Sequence, residues 1–396
     1  MTDDIAIAHK DYDCRGGGEV FVRRLAEFLD APIVTGRRNL TNEPDADLDI
    51  REIPLSGIER RLIDRGGLGR TAAYMLRWPA AADQLAQYDT VITSGNEPLW
   101  WTPEDDQTVI AYTHSTPRYM YDLFNETTDF SRLKGRLATA FYTCQRVLYE
   151  TNVRRPDVWV ANSELVARRM ERYWNLSSEQ IEVVHPPVDT HEYSPDDAAT
   201  QDFYLYLGRL ASAKQVDAVV RAFDGLDAAL VVAGEGAERD RLEAMAGPNV
   251  RFEGFVSEER KRELYSQARA LIYPPLNEDF GMVPIEALAA GTPVLGVRDG
   301  FTRFQIQDGD CGLLWDRGDL RETIRRFERE GVAWSEAEIA EYATVNWSIE
   351  RFHREMRAVI DAAEAETAVD VDLREPIPAD AASDRPFAAT DGGGDP

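Results

Sequence analysis

The sequence predicts an α/β protein of two units, each a parallel sheet covered by helices on both faces. The chain has 396 residues, 43% of them hydrophobic, and about 150 residues per domain is a common size. Short apolar runs alternate with amphipathic stretches through most of the sequence. A break rich in proline and acidic residues, at 185–197, divides this alternation into two halves. Two Rossmann-like domains are therefore expected.

Each half supplies its own set of buried strands. In the first half the apolar runs predict strands at Asp4 to Ala8, Pro32 to Thr35, Thr90 to Thr93, Thr108 to Tyr112, Val158 to Ala161 and Ile181 to Val184. Helical spacing of apolar residues predicts helices between them, such as Glu19 to Leu29 and Leu133 to Leu148. The second half repeats the pattern, with strands predicted at Phe203 to Leu207, Ala229 to Ala233, Val250 to Phe252, Ala270 to Tyr273 and Val294 to Val297.

The break at 185–197 is interpreted as a hinge between the domains. We accordingly expect an N-terminal domain at 1–190, a C-terminal domain at 191–345, a helix at 346–360 that returns to the first domain, and a tail at 361–396. The tail holds ten acidic residues against Arg374 and Arg385 and few apolar side chains. Such a segment cannot offset its chain entropy by burial, so the tail is predicted to be disordered.

The charge composition is strongly acidic. With 44 Lys+Arg against 71 Asp+Glu the formal net charge is −27, and four of the basic residues are lysines, Lys10, Lys134, Lys214 and Lys261. This composition is typical of proteins adapted to concentrated salt, where a Debye length of about 3 Å at 1 M screens the self-repulsion. It disfavours non-specific binding of nucleic acid, because phosphate contacts require a basic surface.

The cysteines and the N-terminus indicate a reducing, cytoplasmic protein. Cys14, Cys144 and Cys311 are scattered and form no CxxC pair, so reduced thiols are expected rather than a disulfide framework or zinc site. No apolar run of about 18 residues occurs, and the acidic first residues do not resemble a secretory signal. We therefore expect a cytoplasmic protein without a spanning helix.

The most informative stretch runs from Pro274 to Leu288, where a predicted strand passes into a predicted helix. Pro284 suits the first helical turn, and free N–H groups around 280–283 would point toward an anion or a hydroxyl-rich group. A carboxylate at Glu286 can accept both hydroxyls of a ribose, and Glu278 can reach a sugar ring. Two glutamates can also be ordinary solvated acids, but the proline, the Phe-Gly pair and the strand-to-helix context favour a binding site.

Glu278 and Glu286 stand eight apart in Glu-Asp-Phe-Gly-Met-Val-Pro-Ile-Glu, which resembles the E-x7-E signature of retaining GT4-type glycosyltransferases. The resemblance extends from Ile5 to about Ile360. It implies the GT-B fold, in which two Rossmann-like domains face an interdomain cleft, and a GDP- or UDP-sugar as donor. It also implies that the donor lies against Phe280, Gly281, Met282 and Val283.

A second matching segment begins at Gly208 and resembles the family's G-R-L…K pattern. Arg209 and Lys214 follow the carboxyl end of a predicted strand, where open α/β sheets bind ligands, and supply two cations for a diphosphate. After the next strand, Gly234 and Gly236 resemble a G-x-G turn that lets a nucleotide approach closely. A plain strand-to-helix turn explains these two glycines almost as well.

The first half contributes a glycine-rich loop and a histidine. Gly16 and Gly17 follow Arg15 and resemble the family's first loop, whose N–H groups approach donor phosphate or acceptor, although a flexible turn is an equal explanation. His114, in His-Ser-Thr-Pro-Arg-Tyr, resembles a segment of mannosyltransferase-like members and would bond a sugar hydroxyl. A structural histidine remains the alternative. Ser163 resembles a cleft-wall residue or simply caps a helix.

Metal-ligand spacing is absent from the sequence, and Arg209 and Lys214 are expected to replace a divalent cation. Two basic stretches, at 51–77 with net +3 and at 131–155 with net +5, suggest contact with an anionic membrane surface or a polyprenyl-phosphate acceptor. An ordinary helix with an arginine-rich solvent face is the alternative.

The resemblance implies a retaining, metal-independent transfer of a hexose to a glycan or lipid-linked acceptor, with mannose favoured by the histidine segment. The catalytic assignments are Glu278, His114, Arg209 and Lys214. Two alternatives stay open. One is a nucleotide-sugar epimerase or hydrolase of the same fold, and the other is a non-catalytic sugar-nucleotide-binding scaffold of a glycan-assembly complex.

Overall fold

The computed structural model describes residues 5–12, 16–38, 48–122, 133–195 and 202–365. Within these ranges the chain forms two open sheets, one of seven strands and one of six, in which every strand pair is parallel. Helices connect most of the successive strands within each sheet, and a 3-10 turn at Pro98–Trp100 lies between Thr90–Ser94 and Thr108–Thr113. The fold class predicted from the sequence, two Rossmann-like α/β domains, is confirmed. The tail was predicted to begin at residue 361, but the last helix, Ile349–Glu364, continues through its first residues, because Ile360 and the residues around it are packed on the first domain. Residues 366–396 lie outside the described residues.

The first sheet has the order β3-β2-β1-β4-β5-β6-β7. Its strands are β1 (Ile5–His9), β2 (Ile33–Thr35), β3 (Ile50–Glu52), β4 (Thr90–Ser94), β5 (Thr108–Thr113), β6 (Val158–Ala161) and β7 (Ile181–Val183). The strand order reverses between β1 and β4, and such a switch point opens a crevice at the carboxyl ends of the strands. The sequence analysis missed β3, because this three-residue edge strand buries only Ile50 and gives no periodic signal.

In the part of the first domain that the structure describes, six α-helices precede Phe203. They are α1 (Gly17–Leu29), α2 (Gly57–Arg65), α3 (Gly67–Arg77), α4 (Ala82–Leu85), α5 (Leu133–Asn152) and α6 (Glu164–Trp174). Helix α1 buries one apolar stripe against the sheet, including Phe21, Leu25 and Leu29. A capping box between Ser56 and Glu59 starts α2 by satisfying its first N–H groups.

The second sheet has the order β10-β9-β8-β11-β12-β13. Its strands are β8 (Phe203–Leu207), β9 (Ala229–Ala233), β10 (Val250–Gly254), β11 (Ala270–Tyr273), β12 (Val294–Val297) and β13 (Gly312–Trp315). Strand β13 was also missed from the sequence. The strand starts with Gly312, where a Cβ would lie 2.0 Å from the Val294 carbonyl oxygen. The backbones of β12 and β13 therefore pack closely at this point, and only glycine fits there.

The helices after β8 surround this sheet and then cross back. They are α7 (Val216–Phe223), α8 (Arg239–Met245), α9 (Glu258–Gln267), α10 (Met282–Ala289), α11 (Thr302–Gln305), α12 (Leu320–Glu330), α13 (Glu336–Trp347) and α14 (Ile349–Glu364). Helix α14 buries Phe352, Met356 and Val359 in the core of the first domain, where the Phe352 ring lies 5.5 Å from that of Phe21. The chain thus crosses between the domains near residue 188 and again at Ser348.

None of the helices in the described residues is long and apolar enough to cross a membrane. Cys311 is buried and Cys144 is exposed, both as free thiols, and Cys14 lies outside the described residues.

Candidate active site

Glycine turns form the carboxyl edge of the second sheet. Gly208 and Gly234 have φ of +150° and +130°, and a Cβ on Gly234 would lie 2.0 Å from the Gly208 carbonyl oxygen. A Cβ on Gly236 would lie 2.2 Å from the carbonyl oxygen of Leu210. The turns after β8 and β9 are therefore pressed against each other, and glycine is required there by backbone packing.

The two predicted cations follow β8 and differ in their surroundings. The Arg209 side chain is exposed, and among the described residues no carboxylate lies within ion-pair distance of it. Lys214 ends a short 3-10 turn, and its Nζ donates to Oε2 of Glu278 at 2.7 Å. The structure therefore brings Lys214 to the first glutamate of the pair and leaves the Arg209 guanidinium open to a ligand.

Glu278 lies in a loop that is folded tightly onto β11. Gly281, with φ of +83°, has so little space that a Cβ would lie 2.6 Å from the Tyr273 hydroxyl and 3.3 Å from Cγ of Glu278. Burial, and then the nearby Glu278 carboxylate, raise the pKa of Tyr273 well above its ordinary value. The Glu278 carbonyl oxygen also accepts from the Phe301 N–H at 2.9 Å. These contacts fix the loop that carries Glu278.

Glu286, the fifth of the eight residues of α10, is contacted by two side chains of helix α9. Its Oε1 accepts from Nζ of Lys261 at 3.2 Å, and its Oε2 accepts from the Tyr265 hydroxyl at 2.8 Å. Lys261 and Tyr265 are four residues apart and therefore share one face of α9. The sequence analysis gave neither a role, although Lys261 is one of four lysines.

The N-terminus of α10 lies beside the first domain. Gly281 occupies the cap position without a side-chain cap, so the positive end of the helix dipole is not met by a side chain. Met282 lies against Gly17 of the glycine-rich loop, since a Cβ on Gly17 would be 3.0 Å from its Cε. The Phe280 ring is buried against His185 and Phe301, so it can serve a ligand only through its backbone. Val283 packs on the second-domain core.

His114 follows β5 and is the end of a hydrogen-bonded chain. Its Nε2 lies 2.9 Å from Oγ of Ser94, and the same Oγ lies 3.1 Å from Nδ1 of His9. Burial, and then the positive charge of Lys10, lower the pKa of His114 to about 3. The pKa of His9 is also lowered, by burial and then by His114 and Lys10. Both rings are therefore neutral, and each forms a hydrogen bond with the same Ser94 hydroxyl.

The glycine-rich loop lies next to this chain. Gly16 is the cap residue of α1 and lacks a side-chain cap, and a Cβ on Gly18 would lie 3.7 Å from Cε1 of His9. With Met282 against Gly17, the loop connects the histidines to the start of α10. Arg15 lies outside the described residues.

Three side chains of the first domain also donate hydrogen bonds to the loop around Glu278. Arg118 donates through Nη1 to the Asn277 carbonyl oxygen at 3.1 Å, and Ser163 donates through Oγ to the Asp279 carbonyl oxygen at 2.6 Å. Arg169 donates to the side chains of both Asn277 and Asp279. Sequence analysis missed Arg169, because no local pattern marks a contact across 110 residues.

Ser163 caps a helix and also contacts the other domain. Its Oγ accepts from the Val166 N–H at 3.3 Å as the cap of α6, while it donates to Asp279 in the other domain.

The basic stretches are largely paired where the structure describes them. At 51–77, ion pairs with carboxylates involve four of the six arginines, Arg51, Arg60, Arg70 and Arg77. Arg61 and Arg65 are exposed on α2, close to Ile58 with 71% exposure. In the second stretch, Arg132 and the side chains of Lys134 and Arg136 lie outside what the structure describes. Among the described residues no group of His, Cys, Asp and Glu could hold a metal ion.

Two parallel-sheet domains, with charged residues and glycine turns at the strand ends between them, define a two-domain ligand-binding α/β protein. Residues 15–192 match the family model described as Glycosyltransferase Family 4, and residues 190–344 match that described as Glycosyl transferases group 1. The matches are consecutive and together take in residues 15–344. Both domains of the chain thus match models of glycosyltransferase families, and their fold is that of the GT-B glycosyltransferases.

Curated relatives match the chain over part of its length. A D-inositol 3-phosphate glycosyltransferase from Nocardioides sp. is 32% identical over 208 residues, which are 44% of this chain and 45% of the relative. A D-inositol 3-phosphate glycosyltransferase from Mycolicibacterium smegmatis is 30% identical over 217 residues, 48% of this chain and 50% of that one. The chain thus spans about half the length of the curated relatives it matches.

Solved structures resemble the chain in fold. Anabaena HepE in complex with UDP and glucose gives a TM-score of 0.71 at 14% identity, covering 91% of this chain and 100% of that one. Sucrose-phosphate synthase from Thermosynechococcus elongatus gives 0.71 at 18% identity, with the same coverage of both chains. At these identities the likeness concerns the fold.

Proposed function

We propose that the chain is a glycosyltransferase that moves a hexose from a nucleoside diphosphate sugar to a glycan or lipid-linked acceptor. One observation carries the proposal. Glu278, Lys214 and the uncapped start of α10 meet at the carboxyl edge of the second sheet, on the side where Met282 touches the first domain. Carboxylates for hydroxyls, cations for phosphates and a helix N-terminus are the groups that a sugar nucleotide requires.

The donor would bind mainly to the second domain. Each oxygen of Glu286 accepts one hydrogen bond from the protein and keeps further acceptor capacity for a ribose hydroxyl. Arg209 and Lys214 would hold the diphosphate, and Lys214 already lies 2.7 Å from Glu278, beside which the transferred sugar would sit. His114 is neutral and would exchange a hydrogen bond with a sugar hydroxyl.

The transfer would retain the anomeric configuration and would use no metal ion. Negative charge develops on the leaving diphosphate, and the two cations with the positive end of α10 would stabilise it as fixed, preorganised charges. Front-face attack, with the leaving phosphate taking the proton of the acceptor, fits these groups. The contacts of Arg118, Ser163 and Arg169 with the Glu278 loop support a closed cleft that excludes water from the donor.

The acceptor would enter from the first domain, and a lipid-linked acceptor would bring the protein to an anionic membrane surface. The exposed Ile58, Arg61 and Arg65 on α2 support this contact. Neither arginine forms an ion pair with a described residue, and an apolar side chain beside such cations suits an anionic interface.

A panel of GDP- and UDP-sugars identifies the donor, with mannose and guanine favoured by the His-Ser-Thr-Pro-Arg-Tyr segment. The acceptors in the panel are a polyprenyl-phosphate-linked glycan and, because of the relatives' names, an inositol phosphate. Anomeric assignment of the product tests retention. Donor conversion without any acceptor would favour the epimerase or hydrolase, and tight nucleotide binding without turnover would favour a scaffold.

The residue roles are tested by Lys214→Ala and Glu286→Ala. Each should lower transfer at least tenfold, about 1.4 kcal/mol of transition-state stabilisation. The matched controls are Arg241→Ala and Glu243→Ala, which remove a cation and an acid from the exposed surface of α8. The controls should retain normal turnover. Near-normal turnover in Lys214→Ala and Glu286→Ala would refute the assigned roles.

A further inference from the structure

Lys261, on helix α9, contacts the carboxylate of Glu286. Its Nζ is 3.2 Å from Oε1 of Glu286 and 2.7 Å from Oε2 of Glu258, and it lies 5.7 Å from the centre of the Tyr193 ring. The side chains of Lys261 and Glu286 are only 14% and 15% exposed. This pair is therefore well shielded from water.

Lysine is itself unusual in this chain. Four lysines stand among 44 basic residues, and two of the four, Lys214 and Lys261, each contact one of the two glutamates that stand eight apart. Lysine offers a compact ammonium on a flexible stem, whereas arginine brings a wide planar fork. A lysine beside each glutamate suits a narrow space, because its ammonium contacts a single carboxylate oxygen.

The two partners of Glu286 together fix the plane of its carboxylate. Lys261 holds Oε1 and the buried hydroxyl of Tyr265 holds Oε2, so rotation of the carboxylate would break both bonds. A carboxylate oxygen has two lone-pair sites, and each oxygen of Glu286 keeps one for another donor. Two neighbouring hydroxyls of a ribose are such a pair of donors.

The positive charge of Lys261 also favours hydrogen bonds between Glu286 and the ribose hydroxyls. A hydroxyl bonds more strongly to a charged carboxylate than to a neutral carboxylic acid, and a neighbouring cation favours the charged form of a shielded carboxylate. Burial by itself lowers the pKa of Lys261, but Glu286, with help from Tyr193 and Glu258, raises it above the ordinary lysine value. The ammonium therefore stays charged, and it is shared between the shielded Glu286 and the exposed Glu258, so it offsets part of the charge of Glu286 while leaving free lone pairs on its carboxylate.

We propose that Lys261 is a positioning residue for ribose recognition, which orients Glu286 and offsets part of its charge so that both carboxylate oxygens accept the 2′- and 3′-hydroxyls of the nucleotide. The inference rests on the proposed function of Glu286 as the ribose contact. A purely structural role, in which the pair only joins α9 to α10, predicts a loss of stability without a selective effect on ribose.

The test measures how much each variant prefers ribose hydroxyls. Calorimetry gives the affinities of UDP and GDP and of their 2′,3′-dideoxy forms for the wild type, Lys261→Met, Lys261→Gln and Glu286→Ala. The control is Arg262→Met, the next residue on α9, whose guanidinium pairs with Glu192 at 3.3 Å and does not touch Glu286. Thermal denaturation of each variant reports its folding.

The wild type and Arg262→Met should bind the ribonucleotide at least tenfold more tightly than the dideoxy form. In Lys261→Met this preference should fall at least fivefold, while the affinity for the dideoxy form changes less than twofold. Lys261→Gln, which donates a hydrogen bond without charge, should lie between and supplies the result if the methionine variant does not fold.

The possible results distinguish the role of Lys261 from the assignment of Glu286 to the donor site. An unchanged preference in both Lys261 variants, or equal weakening of both nucleotide forms, would overturn the inference. If Glu286→Ala keeps the wild-type preference, or if the wild type binds neither nucleotide, the proposed donor site itself is wrong. Loss of the preference in Glu286→Ala but not in the lysine variants would leave the donor site standing and reject the role of Lys261.

Discussion

Adding a single methyl group at Gly281 should damage the donor site by a calculable amount. The φ of +83° is unfavourable for any residue with a Cβ, which costs about 1–3 kcal/mol. The new Cβ would also lie 2.6 Å from the buried hydroxyl of Tyr273, and overpacking of this kind costs about 1–3 kcal/mol more. Gly281→Ala should therefore lower the free energy of unfolding by roughly 2–6 kcal/mol, the sum of these two costs.

Gly225 provides the matched control. Its φ of +71° is also positive, but a Cβ there would meet no atom within 4 Å. Gly225→Ala should therefore lose only the backbone cost of about 1–2 kcal/mol and should bind the donor normally. Gly281→Ala should in addition raise the donor KM at least tenfold, because relief of the clash moves Tyr273 or Glu278.

Urea denaturation and donor titration measure both effects, and a second substitution isolates the clash. Tyr273→Phe removes the hydroxyl that the new methyl would meet, so it should restore part of the lost stability in Gly281→Ala and none in Gly225→Ala. Equal losses of stability in the two alanine variants, together with an unchanged donor KM for Gly281→Ala, would refute this account of the loop.

Two further predictions concern the first domain. The lowered pKa of the buried His9 keeps it neutral in the folded state, whereas the unfolded chain binds a proton below a pH of about 6.5, so stability should fall on acidification. Between pH 6.5 and 5.5 the free energy of unfolding of the wild type, measured in urea, should fall by about 1 kcal/mol more than that of His9→Gln. Equal falls in the two proteins would contradict this. On α2, replacing both Arg61 and Arg65 with Ser should reduce sedimentation with anionic vesicles but not with neutral ones. Identical partitioning of this variant and the wild type would remove the support for a membrane contact.

Local patterns determined most of the fold. Runs of buried apolar residues marked eleven of the described strands, and the two that were missed, β3 and β13, are edge strands. Strand β3 buries only Ile50, whereas the residues of β13, Gly-Leu-Leu-Trp, are all buried and carry an apolar signal that the sequence analysis missed. The residues just past a strand end, Lys214 and Glu278, could be placed at a common edge because parallel strands end on the same side of a sheet.

The sequence by itself determined two parallel-sheet domains and the glutamates, cations and glycines that follow their strands, since periodicity and turn chemistry act over a few neighbouring residues. Only the tertiary structure decided which partner each side chain meets. Lys261 reaches Glu286 across 25 residues, His9 reaches Ser94 across 85, and Arg169 reaches Asp279 across 110. These contacts arise from the packing of separate elements, and packing leaves no signal in the local sequence of either partner.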